Sequence, residues 1–238
     1  MHDPSKGALP FEAGSIARTV EEALLSRRSI RAFRSDPVPR ELVERILGLA
    51  SRAPSGTNVQ PWKVYAVAGA ARERLAAEMH AEFLAKGEGK RQYEYYPTKW
   101  RDPYLARRRK LGWDYYGLLG IGKGDFDKTK VQHARNYVFF DAPAALIFAI
   151  DDDFEKGSWL DYGMFVQSVM LAARGFGLDT CPQAAIASAH TVIRRHLPIG
   201  EREIVICGMA LGYARDDAVN TLVTEREPVS GFAKFSGF

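Results

Sequence analysis

Apolar residues recur every three or four positions in four stretches of the chain, and this spacing predicts four amphipathic helices. The predicted helices cover residues 15–26, 39–52, 71–86 and 158–175. Ser15 is a suitable cap for the first helix, and Pro39 suits the first turn of the second. Ser158 followed by Asp161 resembles a capping box, which predicts the start of the fourth helix there.

Other stretches are predicted to be β-strands. Residues 62–68, WKVYAVA, show the alternation of a strand, and residues 142–150 and 203–212 are almost uninterrupted apolar runs that predict buried strands. A further short strand is expected just before TCPQAAI, residues 180–186. Strands separated by helices indicate an α/β or α+β domain built on one sheet flanked by helices.

The size and composition of the chain suit one globular domain spanning residues 1–238. Its 238 residues are 46% hydrophobic, enough for a sizeable core. The two cysteines, Cys181 and Cys207, form no CxxC motif, which suits a reducing compartment. The N-terminus lacks a signal-peptide pattern, and the longest apolar run, residues 142–150, is too short to span a bilayer. We therefore expect a cytoplasmic protein that is not bound to membranes.

Residues 86–130 break the alternation of helices and strands and are predicted to be an insertion. Nine basic and three acidic residues lie between Lys86 and Lys110, although the net charge of the whole chain is +4. Eight of the 27 aromatic residues fall within residues 93–116. The insertion is either a lid that encloses a flat substrate or an extra packing layer with a solvated charged face. We favour an active-site lid, because binding residues concentrate on loops over rigid scaffolds. Its candidate substrate contacts are Tyr96, Trp100, Tyr104 and Arg107.

Several kinds of active site are not supported by the sequence. The five histidines form no HExxH motif and no ligand set with cysteine, so no metal is predicted. GLLGIGKG, residues 117–124, lacks the final hydroxyl residue of a phosphate-binding P-loop and does not follow a buried strand. No GxSxG motif is present.

Four arginines lie within eight residues in RRSIRAFR, residues 27–34. An isolated basic run is usually a solvated surface. Here Ile30, Ala32 and Phe33 alternate with the charges and are expected to anchor the segment against the core. Arginines held beside a core suit a phosphate, which they can bind bidentately together with the hydroxyl of Ser29.

Three distant segments make the phosphate site more specific. Asn58 and Gln60 supply amides that suit a ring edge with an N–H between carbonyls, although the segment could be an ordinary turn. TCPQAAI has small residues that let a flat ligand approach the backbone, and Arg226 lies on the irregular C-terminal tail. Arginines that suit a phosphate, a pair of amides and a loop of small residues together indicate a site for flavin mononucleotide (FMN).

The same segments carry a family resemblance. SRRSIRAFRSDPVP followed by ASRAPSGTNVQPWKVYAV resembles the nitroreductase family of FMN flavoproteins, and GLDTCPQAAI, VICGMALGY and TEREPV match it in order. Within the family, the resemblance is greatest to bacterial nitroarene and nitrobenzoate reductases. It implies an α+β, nitroreductase-like FMN fold with a mixed central β-sheet flanked by helices. It also implies a homodimer with FMN at the subunit interface and a C-terminal tail that extends over the partner subunit.

The resemblance assigns FMN-binding roles to specific positions. The residues that it implies as cofactor contacts are Arg27, Arg28, Ser29, Arg31, Pro54, Ser55, Asn58, Pro182, Gln183, Ala184 and Arg226. Pro54, Ser55 and Asn58 would come from the other subunit. Arg34 matches no family contact and is expected to be solvated. Relatives often carry two basic residues in the C-terminal motif, whereas Val223 and Thr224 precede Arg226 here.

The resemblance also implies the reaction. NAD(P)H would deliver a hydride to the flavin and leave, and an aromatic nitro compound would then take two electrons in a ping-pong cycle. No catalytic side chain is expected, because the flavin carries the chemistry. A related flavin reductase that acts on quinones or halogenated phenols, in the manner of a reductive dehalogenase, is the alternative. Binding of single-stranded nucleic acid is a remote one, suggested by the aromatic and basic residues of the insertion.

Overall fold

A computed structural model describes residues 7–238 and shows an α+β arrangement of one sheet with helices on both faces. The strands are β1 (Lys63–Ala68), β2 (Ala144–Asp151), β3 (Asp179–Gln183) and β4 (Glu203–Gly212). The α-helices are α1 (Val20–Ser26), α2 (Arg40–Ala50), α3 (Gly69–Lys86), α4 (Tyr104–Leu118), α5 (Phe126–Ala134), α6 (Lys156–Gly175), α7 (His190–His196) and α8 (Val229–Phe232). Residues 1–6, which include the start of the segment tested for a signal peptide, lie outside the described residues. No helix among residues 7–238 has the length and apolar character needed to cross a bilayer.

The four strands form an antiparallel sheet in the order β1-β2-β4-β3. The prediction of a mixed sheet was therefore wrong for these strands. Among residues 7–238, parallel pairing is confined to an isolated bridge between Ser29 and Thr180, outside the ladders. The apolar runs located β2 and β4 correctly, but burial does not encode strand direction, which depends on how the long connections return to the sheet.

Two hydrophobic clusters cover the two faces of the sheet. Alternate residues of β2 belong to different clusters, with Ile147 in one and Leu146 and Phe148 in the other. The first cluster packs the sheet against α3 and α7, and the second packs it against α2 and α6. Because both faces are covered, nearly every side chain of β2 is buried, which explains its uninterrupted apolar sequence.

The starts of two helices differ from the predictions. The first helix begins at Val20, because Thr19 caps it by accepting a hydrogen bond from Glu22 N at 3.1 Å. The hydroxyl of Ser15 instead accepts a hydrogen bond from Arg174. The helix predicted from residue 158 begins at Lys156, and Asp161 accepts a hydrogen bond from Gly56 N at 3.0 Å rather than closing a capping box. In both cases a tertiary contact uses the polar group that suggested a cap.

A close backbone approach in β4 gives the first testable prediction. A Cβ atom at Gly208 would lie 2.7 Å from Ile186 Cγ1, and Ile186 is fully buried. Gly208→Ala should therefore lower the free energy of unfolding by about 1–3 kcal/mol through overpacking. Gly48→Ala, in open space on α2, is the matched control and should stabilise the protein by roughly 0.5–1 kcal/mol. Urea unfolding of both variants measures the difference, and equal effects would contradict this packing.

Candidate functional site

The arginine-rich segment, residues 27–34, is attached to the sheet at two points. Ser29 forms a bridge with Thr180 of β3, and Phe33 forms one with Ala214 just after β4. The three expected anchors, Ile30, Ala32 and Phe33, are buried, which confirms that prediction. The main chain of the segment is thus held along the sheet edge.

Asn220 forms three hydrogen bonds to the main chain in the middle of this segment. Its Oδ1 accepts hydrogen bonds from Arg31 N at 2.8 Å and Ala32 N at 3.2 Å, while its Nδ2 donates to Ala32 O at 2.8 Å. Asn220 is 1% exposed and lies in the 3-10 turn Ala218–Thr221, nearly 190 residues along the chain. Asn220 could not be identified from the sequence, because a single asparagine in an irregular tail carries no recognisable signal.

Arg28 is the buried arginine of the segment. Its Nη1 donates to Thr221 O at 3.3 Å and its Nη2 donates to Leu9 O, so it ties both ends of the chain to the site. The buried Nε has no hydrogen-bond partner among the described residues. Burial lowers the pKa of the Arg28 guanidinium, and the nearby charge of Arg174 lowers it further. The Nε N–H of Arg28 is therefore a buried donor that remains unsatisfied within the described residues.

Arg27 and Arg226 form a second centre of positive charge. Burial lowers the pKa of Arg27, and repulsion from Arg226 lowers it further. Neither guanidinium contacts a carboxylate within residues 7–238, and Arg226 donates only to main-chain oxygens and the hydroxyl of its own turn, at Thr224 and Glu225. Two cations held together without a counter-ion are suited to binding an anion.

Arg31 lies two residues after the Ser29 bridge to β3, and its guanidinium stacks on the insertion. Its Nη1 donates to Ser29 O at 3.1 Å, and its Cζ lies 4.7 Å from the centre of the Tyr115 ring. Burial raises the pKa of the Cys181 thiol, and the positive charges of Arg31 and Arg27 partly oppose this rise. Arg34, by contrast, is exposed and paired with Asp36 at 2.8 Å, as expected for a solvated arginine.

Pro182, Gln183 and Ala184 line a cavity of about 290 Å³ at the end of β3. The other lining residues come from α6, β4 and the insertion and include Trp159, Tyr162, Gln167, Tyr93 and Tyr95. Gln183 is buried, and its Nε2 donates to Asn136 O at 2.8 Å. Its Oε1 is a buried acceptor without a partner among the described residues. A ligand with an N–H group at this wall would satisfy it.

The loop that contains Pro54, Ser55 and Asn58 lies apart from the arginines. Asn58 is in the left-handed region with φ +60°, and the loop is closed by a 3.0 Å hydrogen bond from Gln60 N to Ser55 Oγ. Pro54 and Asn58 are exposed and Ser55 is half-buried. Within the described chain, no hydrogen bond or ion pair joins this loop to residues 27–34. The loop is held by its own hydrogen bonds and by one to Asp161, and not by the arginines of the same subunit.

The insertion packs over the end of β3 and β4. Arg91 donates to Ala184 O at 3.3 Å, and the hydroxyl of Tyr93 donates to Ile206 O. Gly89 approaches the carbonyl oxygen of Ser188 so closely that no Cβ fits between them. Residues 88–103 contain no helix or strand, and α4 has no buried residue.

Aromatic rings form a continuous tract from the cavity into the insertion. Successive ring centres are 4.7, 6.4, 4.7 and 5.5 Å apart. The tract consists of Trp159, Tyr93, Tyr95, Tyr96 and Trp100. Arg108 lies at its far end, with Cζ 4.7 Å from the centre of the Trp100 ring and 5.8 Å from that of Tyr96.

The candidate substrate residues divide into two groups. Tyr96 and Trp100 belong to the aromatic tract. Tyr104 lies between Arg101 and Arg107, 5.1 and 5.8 Å from its ring centre, and Arg107 is paired with Glu227 of the C-terminal tail. Arg108 was not among the candidates chosen from the sequence. It contacts the aromatic tract and has no carboxylate partner among the described residues.

Comparisons with known proteins agree with this geometry. The model of the Nitroreductase family matches residues 24–213. A 4-nitrobenzoate reductase of Pseudomonas putida is 38% identical over 226 residues, covering 92% of this chain and 96% of the relative. A chloronitrobenzene nitroreductase of Comamonas testosteroni is 36% identical, covering 91% and 96%.

Solved structures give the same result. The FMN- and NADPH-dependent nitroreductase NfnB from sphigopyxis sp. strain HMH superposes with a TM-score of 0.88 at 34% identity, covering 92% of this chain and 100% of that one. The FMN-dependent NfnB from Mycobacterium smegmatis, in complex with NADPH, superposes with a TM-score of 0.86 at 31% identity, covering 91% and 97%. The matched region includes the arginine-rich segment, the cavity-lining end of β3 and the insertion. This chain belongs to the nitroreductase family.

Proposed function

We propose that this protein is an FMN-dependent oxidoreductase that takes a hydride from NAD(P)H and reduces aromatic nitro compounds. The observation that carries the proposal is the pair of guanidinium groups, Arg27 and Arg226, that act on each other electrostatically and have no carboxylate partner within residues 7–238. The relatives that cover nearly all of the chain are nitroreductases, and two of the similar structures are FMN- and NADPH-dependent or hold NADPH.

The residues of the site fit FMN. Arg27 and Arg226 supply the positive charge that a phosphate requires, and the unpaired Nε of Arg28 adds one donor. The unpaired Oε1 of Gln183 suits an N–H group of a ring edge. Ser29 and Arg31 would contact the cofactor between these ends, beside Pro182 and Ala184. When bound, FMN would supply the hydride and electron transfer chemistry, for which no side chain is needed.

A second copy of the chain would complete the site. Within residues 7–238, no hydrogen bond or ion pair joins Pro54, Ser55 or Asn58 to the arginine-rich segment of the same subunit, and we infer that they contact FMN across a homodimer interface. The C-terminal tail supports this arrangement, because Phe232 and Phe235 are 71% and 69% exposed. We infer that the tail extends over the partner subunit, where these aromatic side chains would be buried, and that the dimer is cytoplasmic.

The insertion is proposed as the lid of a single domain spanning residues 1–238. Its contacts with Ala184 and Ile206 place the aromatic tract directly beside the cavity. Tyr96 and Trp100 would stack against a flat acceptor or the nicotinamide cofactor, while Tyr104 and Arg107 would take part after release from their present partners. The role of these protein groups is to orient the reactants and to exclude water.

Arg108 offers a specificity test within this proposal. An acceptor with a carboxylate gains a charge-assisted hydrogen bond to Arg108, whereas an uncharged nitroarene does not. Arg108→Ala should raise KM for 4-nitrobenzoate about 10-fold and leave kcat and the KM for nitrobenzene almost unchanged. Arg109→Ala, the neighbouring exposed arginine, is the control. Equal losses for both acceptors would contradict the role of Arg108.

The function itself is tested by anaerobic turnover. The purified protein, supplied with FMN and NADH or NADPH, should reduce nitrobenzoates and nitrobenzene with consumption of the nicotinamide cofactor. Quinones and halogenated phenols are tested in the same assay, because the flavin site alone does not choose among acceptors. Faster turnover of a halophenol or a quinone would favour the alternative reductase. A protein that takes up no FMN and binds a labelled oligonucleotide would overturn the proposal.

A further inference from the structure

Tyr115 is the point where the insertion touches the arginine-rich segment. The face of its ring lies against Arg31, with Cζ 4.7 Å from the ring centre. This distance is well within the range of a favourable cation–π contact. Tyr115 belongs to α4, whereas Arg31 belongs to the segment along the sheet edge, so the contact joins the insertion to that segment.

The ring of Tyr115 is itself held in place. Gln132 Nε2, from α5, donates a hydrogen bond of 2.6 Å to the Tyr115 hydroxyl oxygen. Burial raises the pKa of Tyr115, although Gln132 and Arg31 oppose the rise, and the hydroxyl stays protonated at neutral pH. The ring therefore has a fixed orientation and presents one face to the guanidinium.

Arg31 retains free donors despite these contacts. Its main-chain N–H donates to Asn220, and one guanidinium nitrogen donates to Ser29 O. A guanidinium carries five N–H groups, and no carboxylate within residues 7–238 pairs with this one. The segment that carries Arg31 is bridged to β3 through Ser29 and Thr180, and the end of β3 lines the cavity.

We propose that Tyr115 is a positioning residue that holds the Arg31 guanidinium toward the bound flavin and so couples the insertion to the cofactor. This inference rests on the proposed function. A cation held near the flavin stabilises the reduced form, which carries more negative charge than the oxidised form. The position of α4 would then influence both the affinity for FMN and its midpoint potential.

The test compares Tyr115→Leu and Tyr115→Phe in the full-length protein, with FMN as the titrant. Tyr115→Leu should weaken FMN binding roughly 3- to 30-fold and make the midpoint potential more negative, because the cation–π contact is lost. Tyr115→Phe keeps the ring and should restore most of both properties. Trp113→Leu, an exposed aromatic of the same helix, is the control and should change neither.

The outcomes separate the inference from the proposed function. If the unaltered protein binds no FMN, the proposed function fails. If it binds FMN and Tyr115→Leu changes neither the dissociation constant nor the potential, the positioning role alone is overturned. Should Tyr115→Leu not fold, Tyr115→Met, which removes the ring but keeps a flexible apolar side chain, should shift both quantities in the same direction. An unchanged potential in that variant would equally overturn the role.

Discussion

Arg174→Ala should destabilise the protein more than any other single substitution considered for it, by about 3–5 kcal/mol. Arg174 is 3% exposed and pairs with Asp179 at 2.8 Å. It also donates to the hydroxyl of Ser15 at 2.8 Å and to that of Ser26 at 3.2 Å. Its removal leaves a buried carboxylate without a cation and releases the N-terminal segment from α6.

The loss should depend on pH. Burial raises the pKa of Asp179, and the charge and hydrogen bond of Arg174 oppose that rise. Without Arg174, the pKa of Asp179 in the folded state rises further, whereas its pKa in the unfolded state stays ordinary. The Asp179 carboxyl then binds its proton more tightly in the folded variant than in the unfolded chain. The stability of the variant therefore falls as the pH rises through the raised pKa. The destabilisation should be larger at about pH 8 than at about pH 5.

Urea unfolding of the FMN-free protein at both pH values measures this effect. Arg202→Ala is the matched control, because Arg202 forms exposed ion pairs with Asp152 and Asp153, each at 3.0 Å. Exposed pairs contribute little, so this control should lie within about 1 kcal/mol of the unaltered protein. A loss for Arg174→Ala as small as that of the control would show that the buried pair does not hold the N-terminal segment.

The second large effect concerns the anion site. Arg27→Ala and Arg226→Ala should each weaken FMN binding by roughly 10- to 100-fold, because each removes a charge-assisted hydrogen bond to the phosphate. With FMN present, the variants should also melt at a lower temperature, since a weaker ligand contributes less to the stability of the folded state. Without FMN, Arg226→Ala should be neutral or slightly stabilising, because it relieves the repulsion that lowers the pKa of Arg27.

Arg34→Ala is the control for this pair of variants. Arg34 belongs to the same arginine run but is exposed and paired with Asp36, so its removal should leave FMN binding unchanged. Arg28→Ala should lose both FMN and stability in the FMN-free protein, since it also breaks the bonds to Leu9 and Thr221. If Arg34→Ala weakened FMN binding as much as Arg27→Ala did, a diffuse basic surface rather than a built site would bind the phosphate.

The sequence was sufficient to locate the strands and four of the eight α-helices described, because the burial of one face produces a periodic pattern of apolar residues. Residues of β2 that alternate between two cores must all be apolar, and Gly87 stops α3 as predicted. The strand directions and the starts of α1 and α6 could not be predicted from the sequence. Ser15 and Asp161 carry the chemistry of caps, but Arg174 and Gly56 take up their polar groups. Local patterns do not report which partner a polar group finds in the folded chain.

The same distinction applies to the site. The arginine run and its apolar anchors could be identified from residues 27–34 alone. The different environments of the four arginines could not be predicted from the sequence, because they depend on distant atoms such as Thr221 O and Asn220 Oδ1. Tyr115 and Arg108 lie in an insertion without a strong hydrophobic pattern, so no sequence signal distinguished them from their many aromatic and basic neighbours.

The most direct test of the account is a comparison of FMN and riboflavin as ligands of the FMN-free protein. The two differ by the phosphate, so the difference in their dissociation constants measures the anion site itself. FMN should bind at least about 100-fold more tightly than riboflavin, and the difference should largely disappear in the Arg27→Ala, Arg226→Ala double variant. Equal affinities for FMN and riboflavin in the unaltered protein would contradict the assignment of the arginine run to the phosphate.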